Sequence, residues 1–370
     1  MPRSPSVDLS DVARLVVDRF RAAPAAAIAA SFRGRCGLGA SGALEPGSAR
    51  PASVGTPFDL ASVTKPVVAL TLARLVRQQR IALSEPLEEV LPDLRGTFAG
   101  RVPVELFAAH RSGLAAHIEL FAPLREGHPV DKAEAIRRAA ESRRPECEGP
   151  APAEGFPPIY SDMGYLLLGL AVEARGGEPL DAVVTREVTA PLGLADRVGS
   201  ARQMRAQLPS FDAEVAPTED VEFRGGVVRG VVHDENAWAL FDAALAGHAG
   251  LFGDAPSVLS IGEAILRALG SDDGWLGPRD LEPLVRARPG GTLRAGFDGR
   301  SDASPSSGSR LGPRTFGHLG FTGTSLWIDP DAQFAGVLLT NRVHPTRAHV
   351  AIREARPAAY DGMFTALERG

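Results

Sequence analysis

Phe58-Asp59-Leu60-Ala61-Ser62-Val63-Thr64-Lys65 is the stretch on which the reading of this chain turns. Its lysine is a rarity: of 40 Lys and Arg residues, only Lys65 and Lys132 are lysine. Arginine keeps its proton in a protein, whereas a desolvated lysine can release one. A lysine three places after a serine, at the start of an apolar run, therefore points to an amine wanted for proton transfer. On a helix, positions i and i+3 share a face, so Ser62 Oγ and Lys65 Nζ can meet. That pairing sets a nucleophile beside its activator. The apolar residues that follow, Val67, Val68, Leu70, Leu72, Leu75 and Val76, cover more than one face. They predict a buried helix from about Ser62 to Arg77, with Pro66 tolerated in its first turn.

Upstream, Ser10 followed by Val12, Leu15, Val16, Val17 and Phe20 predicts a capped amphipathic helix. Residues 26–32 and 36–44 predict a β-hairpin. Downstream, residues 82–270 read as mostly helical, with segments at 103–110, 130–142, 163–174 and 256–269 separated by Pro- and Gly-rich loops. The longest loop is 145–158, and 272–309 reads as irregular, with a surface loop at 301–309. Strands are expected at 322–328 and 334–340, and a last helix at about 346–367. Helix and strands at both ends of a helical middle predict an α/β (α+β) layer built from the two termini. A mainly α-helical subdomain is inserted between them. The expected unit is one domain over residues 7–367, its α/β part at 7–80 and 290–367 and its helical part at 81–289. An active site at the seam follows from that arrangement.

The 370 residues are 44% hydrophobic and 23% charged, as in ordinary soluble globular proteins. A net charge of −5 offers no basic surface for nucleic acid or an anionic membrane. Two cysteines, Cys36 and Cys147, cannot build a disulfide framework, and free thiols in a reducing compartment are the expectation. The segment from Met1 has no basic stretch followed by a long apolar one, so neither a signal peptide nor a membrane span is expected, and the location expected is cytoplasmic. No nucleotide loop and no Gly-x-Ser-x-Gly are present, so no cofactor is expected and an α/β-hydrolase is disfavoured. The partner expected is a small-molecule or peptide substrate.

Three further segments carry the chemistry. Ile159-Tyr160-Ser161-Asp162-Met163-Gly164-Tyr165 ends the long loop and holds two of only three tyrosines. Phe316-Gly317-His318-Leu319-Gly320-Phe321-Thr322-Gly323-Thr324 enters a strand, and Leu338-Leu339-Thr340-Asn341-Arg342 ends the next one. Ser-x-x-Lys, then Tyr-Ser-Asp, then His-x-Gly resembles the motif set of the serine β-lactamase and penicillin-binding-protein superfamily, in particular its class C-like, β-lactamase-related serine hydrolases. The similarity extends through His110-Arg111-Ser112-Gly113-Leu114, Val232-His233-Asp234-Glu235-Asn236, Gly247-His248-Ala249-Gly250-Leu251-Phe252 and Ser325-Leu326-Trp327-Ile328-Asp329-Pro330. These stand in the family's order and span about Val7 to Thr346.

The resemblance implies a β-lactamase/transpeptidase-like fold with an antiparallel sheet flanked by helices, and a role for each matched residue. Ser62 is the acyl-accepting nucleophile. Lys65 takes or shares its proton. Tyr160 completes the base and protonates the leaving group, its phenol pKa depressed by Lys65. The N–H groups of Ser62 and Phe321 form the oxyanion hole, and Gly320 lets substrate lie flat against the strand edge. Two departures matter. Asp162 stands where asparagine is common, replacing an amide donor near Lys65 with an acceptor or a charge. His318 replaces a lysine, which weakens recognition of a substrate carboxylate. An esterase or a D-peptidase-like amide hydrolase is therefore expected, with weak β-lactamase activity or none.

Blander readings stand beside these. His110 and Ser112 read as a structural turn, and Lys132 as a solvated helix charge. A ligand-binding or sensor domain of the same fold, weak in catalysis, is the main alternative. His233, Asp234 and His248 raise a metal hydrolase as another, although neighbouring residues rarely all face one ion; no metal is expected.

Overall fold

The computed structural model describes residues 6–272 and 274–369, so the reading of the first five residues as free of a leader lies outside them. In chain order the strands are β1 (Val7–Asp8), β2 (Ala25–Phe32), β3 (Arg35–Gly42), β4 (Phe58–Asp59), β5 (Val198–Ser200), β6 (Asp220–Val221), β7 (Gly226–Val227), β8 (Leu251–Gly253), β9 (Asp298–Gly299), β10 (Phe316–Leu319), β11 (Ser325–Asp329) and β12 (Phe334–Thr340). Among the helices are α1 (Ser10–Arg14), α2 (Thr64–Arg77), α3 (Val104–Ala108), α4 (Lys132–Ala140), α5 (Asp162–Gly176), α6 (Ala255–Gly270), α7 (Pro278–Val285) and α8 (Ile352–Arg369).

Every residue of β2 is buried, and its two faces enter different cores. Ala25, Ala27 and Ala29 pack with α2 and α6, whereas Ala26, Ile28, Ala30 and Phe32 pack with α1 and α8. A strand with no polar face must be covered on both sides, and the sheet is accordingly a central layer between helices. Its order is β1-β3-β2-β12-β11-β10-β9. All pairings are antiparallel except β1 with β3. β2 pairs with β12 from Phe32↔Phe334 to Ala26↔Thr340, so the two ends of the chain close the sheet together. The fold is therefore mixed α and β, with the antiparallel sheet and flanking helices that the sequence led us to expect.

Several local expectations are corrected. Ser10 is not a cap: it is the first residue of α1, and its N–H donates to Asp8 Oδ1 at 2.8 Å, so the capping carboxylate lies two residues earlier. The segment read as irregular contains α7 and β9; α7 has proline in its first turn and buries Leu281 and Leu284, but Pro283 inside it disguises the periodicity. The helical middle also holds β5 and β8, which join β4 in a three-stranded sheet, and the hairpin β6–β7. Strands of two or three residues are too short to show alternation. α8 begins at Ile352, after turns over 342–351. Among the described residues, no helix is long and apolar enough to cross a membrane.

Candidate active site

The small sheet β4-β8-β5 delivers the quoted stretch to the site. β4 ends at Asp59, Leu60 N–H donates to Leu251 O, and the chain turns through Ala61–Val63 into α2. Ala61 adopts φ +47°, a left-handed conformation unusual for a residue with a Cβ. Asp59 holds that turn. Its Oδ1 accepts from Ala61 N–H at 2.8 Å and its Oδ2 from His233 N–H at 2.6 Å. Thr322 Oγ1 donates to Asp59 O at 2.8 Å and Thr324 Oγ1 to Leu60 O at 2.9 Å. Two hydroxyls thus fasten the β10–β11 turn to the Ser62 turn. Asp59, Thr322 and Thr324 all lay in quoted segments, but nothing in the sequence marked them as the fastening.

Tyr160 comes from the other side. Its ring lies tilted against His110, the centroids 4.7 Å apart, and His110 Nδ1 accepts from Ser161 N–H at 3.0 Å. Ser161 caps α5 by accepting from Gly164 N–H. His110 itself sits at φ +59°, within a tight turn after α3.

These elements converge on Lys65, whose side chain is fully buried. Nζ donates to Ser62 Oγ at 2.9 Å, Tyr160 OH at 2.6 Å, Asp162 Oδ1 at 2.7 Å and His248 O at 3.3 Å. Ser62, Lys65, Tyr160 and Asp162 are therefore one hydrogen-bonded cluster. His318 lies across from Tyr160, the rings 5.8 Å apart, and its Nδ1 donates to Leu319 O. Ser62, Tyr160, Asp162, His318, Gly320 and Phe321 all line one cavity of about 630 Å³. Among the described residues, the backbone N–H groups of Ser62 and Phe321 have no protein acceptor.

The charges differ from expectation. Burial alone would lower the Lys65 pKa, but Asp162 and Tyr160 outweigh it and hold the ammonium above its ordinary value. Burial pushes the Asp162 carboxyl up, yet Lys65 and His117 bring it well below the usual carboxylate range. The resting amine is thus a cation in an ion pair, not the uncharged base that the serine–lysine spacing suggested. Tyr160 is likewise corrected: burial raises its phenol and Lys65 offsets only part, so it rests protonated. His318 is lowered to about 3 by burial and by Lys65, which leaves a neutral ring. His117, which sequence reasoning passed over, sits with Nδ1 3.8 Å from Asp162 Oδ2 at the cavity wall.

Gly320, which lines the cavity, is under a second constraint. A Cβ there would lie 1.9 Å from Thr324 Oγ1 and 2.6 Å from Leu60 O, so the glycine is required by the packing of the protein on itself. His233 and His248 face different carboxylates: His233 Nε2 bonds Glu219 Oε2 and His248 Nε2 bonds Asp234 Oδ1, each at 2.9 Å. Among the described residues, no three His, Cys, Asp or Glu side chains could hold a metal ion together. Lys132 is exposed, with Nζ 4.2 Å from the Phe241 ring centre.

The chain is 29% identical over 336 residues to an N-acetylmuramyl-L-alanine amidase of Bacillus subtilis (strain 168), covering 85% of this chain and 74% of that protein. It is 32% identical over 202 residues to a putative D-alanyl-D-alanine carboxypeptidase of Escherichia coli O157:H7, covering 50% of this chain and 45% of the relative. Among solved structures, EstCE1, "a hydrolase with promiscuous acyltransferase activity", superposes with a TM-score of 0.69 at 23% identity, over 94% of this chain and 97% of that one. The Beta-lactamase family model matches residues 13–360. The chain belongs to the β-lactamase family of serine hydrolases.

Proposed function

We propose that the protein cleaves an ester, amide or peptide bond through an acyl-enzyme on Ser62. The contact that carries this reading is Lys65 Nζ, 2.9 Å from Ser62 Oγ and 2.6 Å from Tyr160 OH. Ser62 Oγ adds to the substrate carbonyl carbon, and the N–H groups of Ser62 and Phe321 receive the oxyanion. The Ser62 proton passes to Lys65 once that amine has lost one of its own. Tyr160 gives its proton to the leaving group as the carbon–heteroatom bond breaks and regains one from Lys65. Water then attacks the acyl carbon by the same route in reverse and frees the acid. Because Lys65 rests as an ammonium, turnover rises toward alkaline pH.

With its Nδ1 proton given to Leu319 O, the neutral His318 presents only an Nε2 lone pair where a cation would hold a substrate carboxylate. Cephalosporin hydrolysis is therefore expected to be slow or undetectable. The names of the relatives, an amidase and a putative carboxypeptidase, support amide and peptide substrates; the acyltransferase-active hydrolase supports esters. A small molecule or peptide is the partner, and a cytoplasmic location is supported by the low cysteine content, two in 370 residues. Intact-mass spectrometry after a fluorophosphonate probe tests the reading. One adduct is expected on the parent and none on Ser62→Ala, while Lys65→Arg leaves p-nitrophenyl ester turnover at background. An adduct retained by Ser62→Ala would move the nucleophile elsewhere. No adduct at any pH would leave a ligand-binding domain.

A further inference from the structure

Among the described residues, Arg356 is a buried cation without a counter-charge. Four of the described residues are buried arginines: Arg111, Arg144, Arg288 and Arg356. Arg111 donates to the Glu154 and Pro289 carbonyls, Arg144 to Glu146 and the Pro157 carbonyl, and Arg288 to Glu105 and the Pro283 carbonyl. Arg356 is only 6% exposed, yet among the described residues its guanidinium makes no hydrogen bond and no ion pair, whereas the other three lack a partner at Nε but donate from a terminal nitrogen. Burial lowers its pKa to about 10, which still leaves it charged at neutral pH. An unpaired buried charge is strongly unfavourable and persists where something outside the fold pairs it.

The surroundings say where that partner sits. Arg356 lines the same cavity as Ser62, together with Arg353 one turn earlier on α8. One turn later, Tyr360 OH donates to Ser325 Oγ at 3.0 Å, and Ser325 pairs with Leu319 of β10. β9 pairs only with Phe316 and Gly317, so β10 is uncovered at His318 and Leu319. His318 faces the Tyr160 side, whereas Leu319 packs with the core that holds α8. The cavity thus wraps the open end of β10, from Ser62 on one face to Arg356 on the other. Asp298 also lines it, but burial raises that carboxyl and reduces its opposition to an anion.

We propose that the α8 end of the cavity is an anion subsite in which Arg356, assisted by Arg353, receives a carboxylate that the substrate carries beyond its scissile bond. A guanidinium presents paired N–H donors that match a carboxylate. The cation absent at His318 is supplied from α8 instead, and the substrate class is an acidic ester or amide. This rests on Ser62 as the nucleophile.

The test compares p-nitrophenyl mono-esters of dicarboxylic acids, from succinate to suberate, each against the neutral alkanoate ester of equal length. The quantity read is the ratio of kcat/KM, acidic over neutral. At the chain length that fits, the parent is expected to favour the acidic ester by about tenfold or more, the usual worth of a charged hydrogen bond. Arg356→Gln is expected to erase the ratio, and Arg353→Gln to reduce it. Arg356→Met guards against misfolding: with the unpaired charge gone, its melting temperature is expected to be no lower than the parent's. Calorimetric titration with the free dicarboxylates reads the subsite without turnover, so its result stands even if the fluorophosphonate fails to label Ser62. A ratio of one or less at every length, a ratio kept by Arg356→Gln, or no heat from any dicarboxylate would overturn the subsite. A melting temperature that falls in Arg356→Met would do so too, by giving the guanidinium a structural partner.

Discussion

Asp162 sets the ionisation of the site, and its replacement separates charge from shape. Asparagine keeps an oxygen for Lys65 Nζ to donate to but removes the negative charge 2.7 Å away. Without that charge, burial has less opposition and the Lys65 pKa falls. A lower pKa puts more of the amine in its neutral form at a given pH. The rising limb of the kcat/KM–pH profile of Asp162→Asn is therefore expected at lower pH than the parent's, by about one unit or more. A p-nitrophenyl ester assayed across pH reads this directly. A limb that stays in place would remove Lys65 as the titrating base, and turnover lost at every pH would make the carboxylate obligatory. The cluster of Ser62, Lys65 and Tyr160 was legible because short motifs encode who meets whom. The charge on Lys65 was not, since it depends on how completely 0% exposure and one carboxylate offset each other in three dimensions.

The β10–β11 turn was legible as a motif, but the packing that it fixes was not. Sequence reasoning kept Gly320 small for a ligand, and its missing side chain also makes room for Thr324 Oγ1 and Leu60 O. Gly320→Ala is expected to cost about 1–3 kcal/mol, the usual penalty of overpacking, read by chemical denaturation. Turnover should fall with it, because Phe321 follows Gly320 directly. Adding Thr324→Ala removes the contact at 1.9 Å but leaves the Leu60 carbonyl at 2.6 Å, and it deletes the Thr324 bond to that carbonyl. The double variant is thus expected to recover only part of the loss, with a non-additive coupling between the two sites. Additive effects would mean that the two residues do not meet. Longer elements were read more truly: α2, β2 and β12 have enough residues to show a pattern, whereas β4, β5 and β8 have two or three and are specified by the sheet they join.

At the scale of the molecule, segments far apart in sequence are held by one buried carboxylate. Glu219 accepts from His233 Nε2 and from the backbone and guanidinium of Arg347. His233 N–H in turn reaches Asp59, and the His233 and Arg347 side chains both lie against the exposed ring of Phe321. His233 and Asp234 therefore turn to different partners. Asp234 turns the chain by capping Ala237 N–H, and the histidine swings to Glu219, a partner that local sequence could not name.

Burial pushes the Glu219 carboxyl up, but His233 and Arg347 outweigh it and bring it from 4.5 to about 2. A carboxyl whose folded pKa is depressed contributes stability that is present above 4.5 and is lost as pH falls toward 2. Glu219→Gln keeps an acceptor for His233 but cannot take up that proton. The variant is expected to melt lower than the parent at neutral pH, because Arg347 loses one of its two counter-charges and keeps only Glu235. Its melting temperature should then fall less steeply between pH 4.5 and 2, so the two curves converge in acid. Calorimetric scans across that window are the measurement. Parallel curves would place the acid sensitivity in other carboxylates, with Asp162 the first to examine, since its own pKa is depressed in the same direction by Lys65.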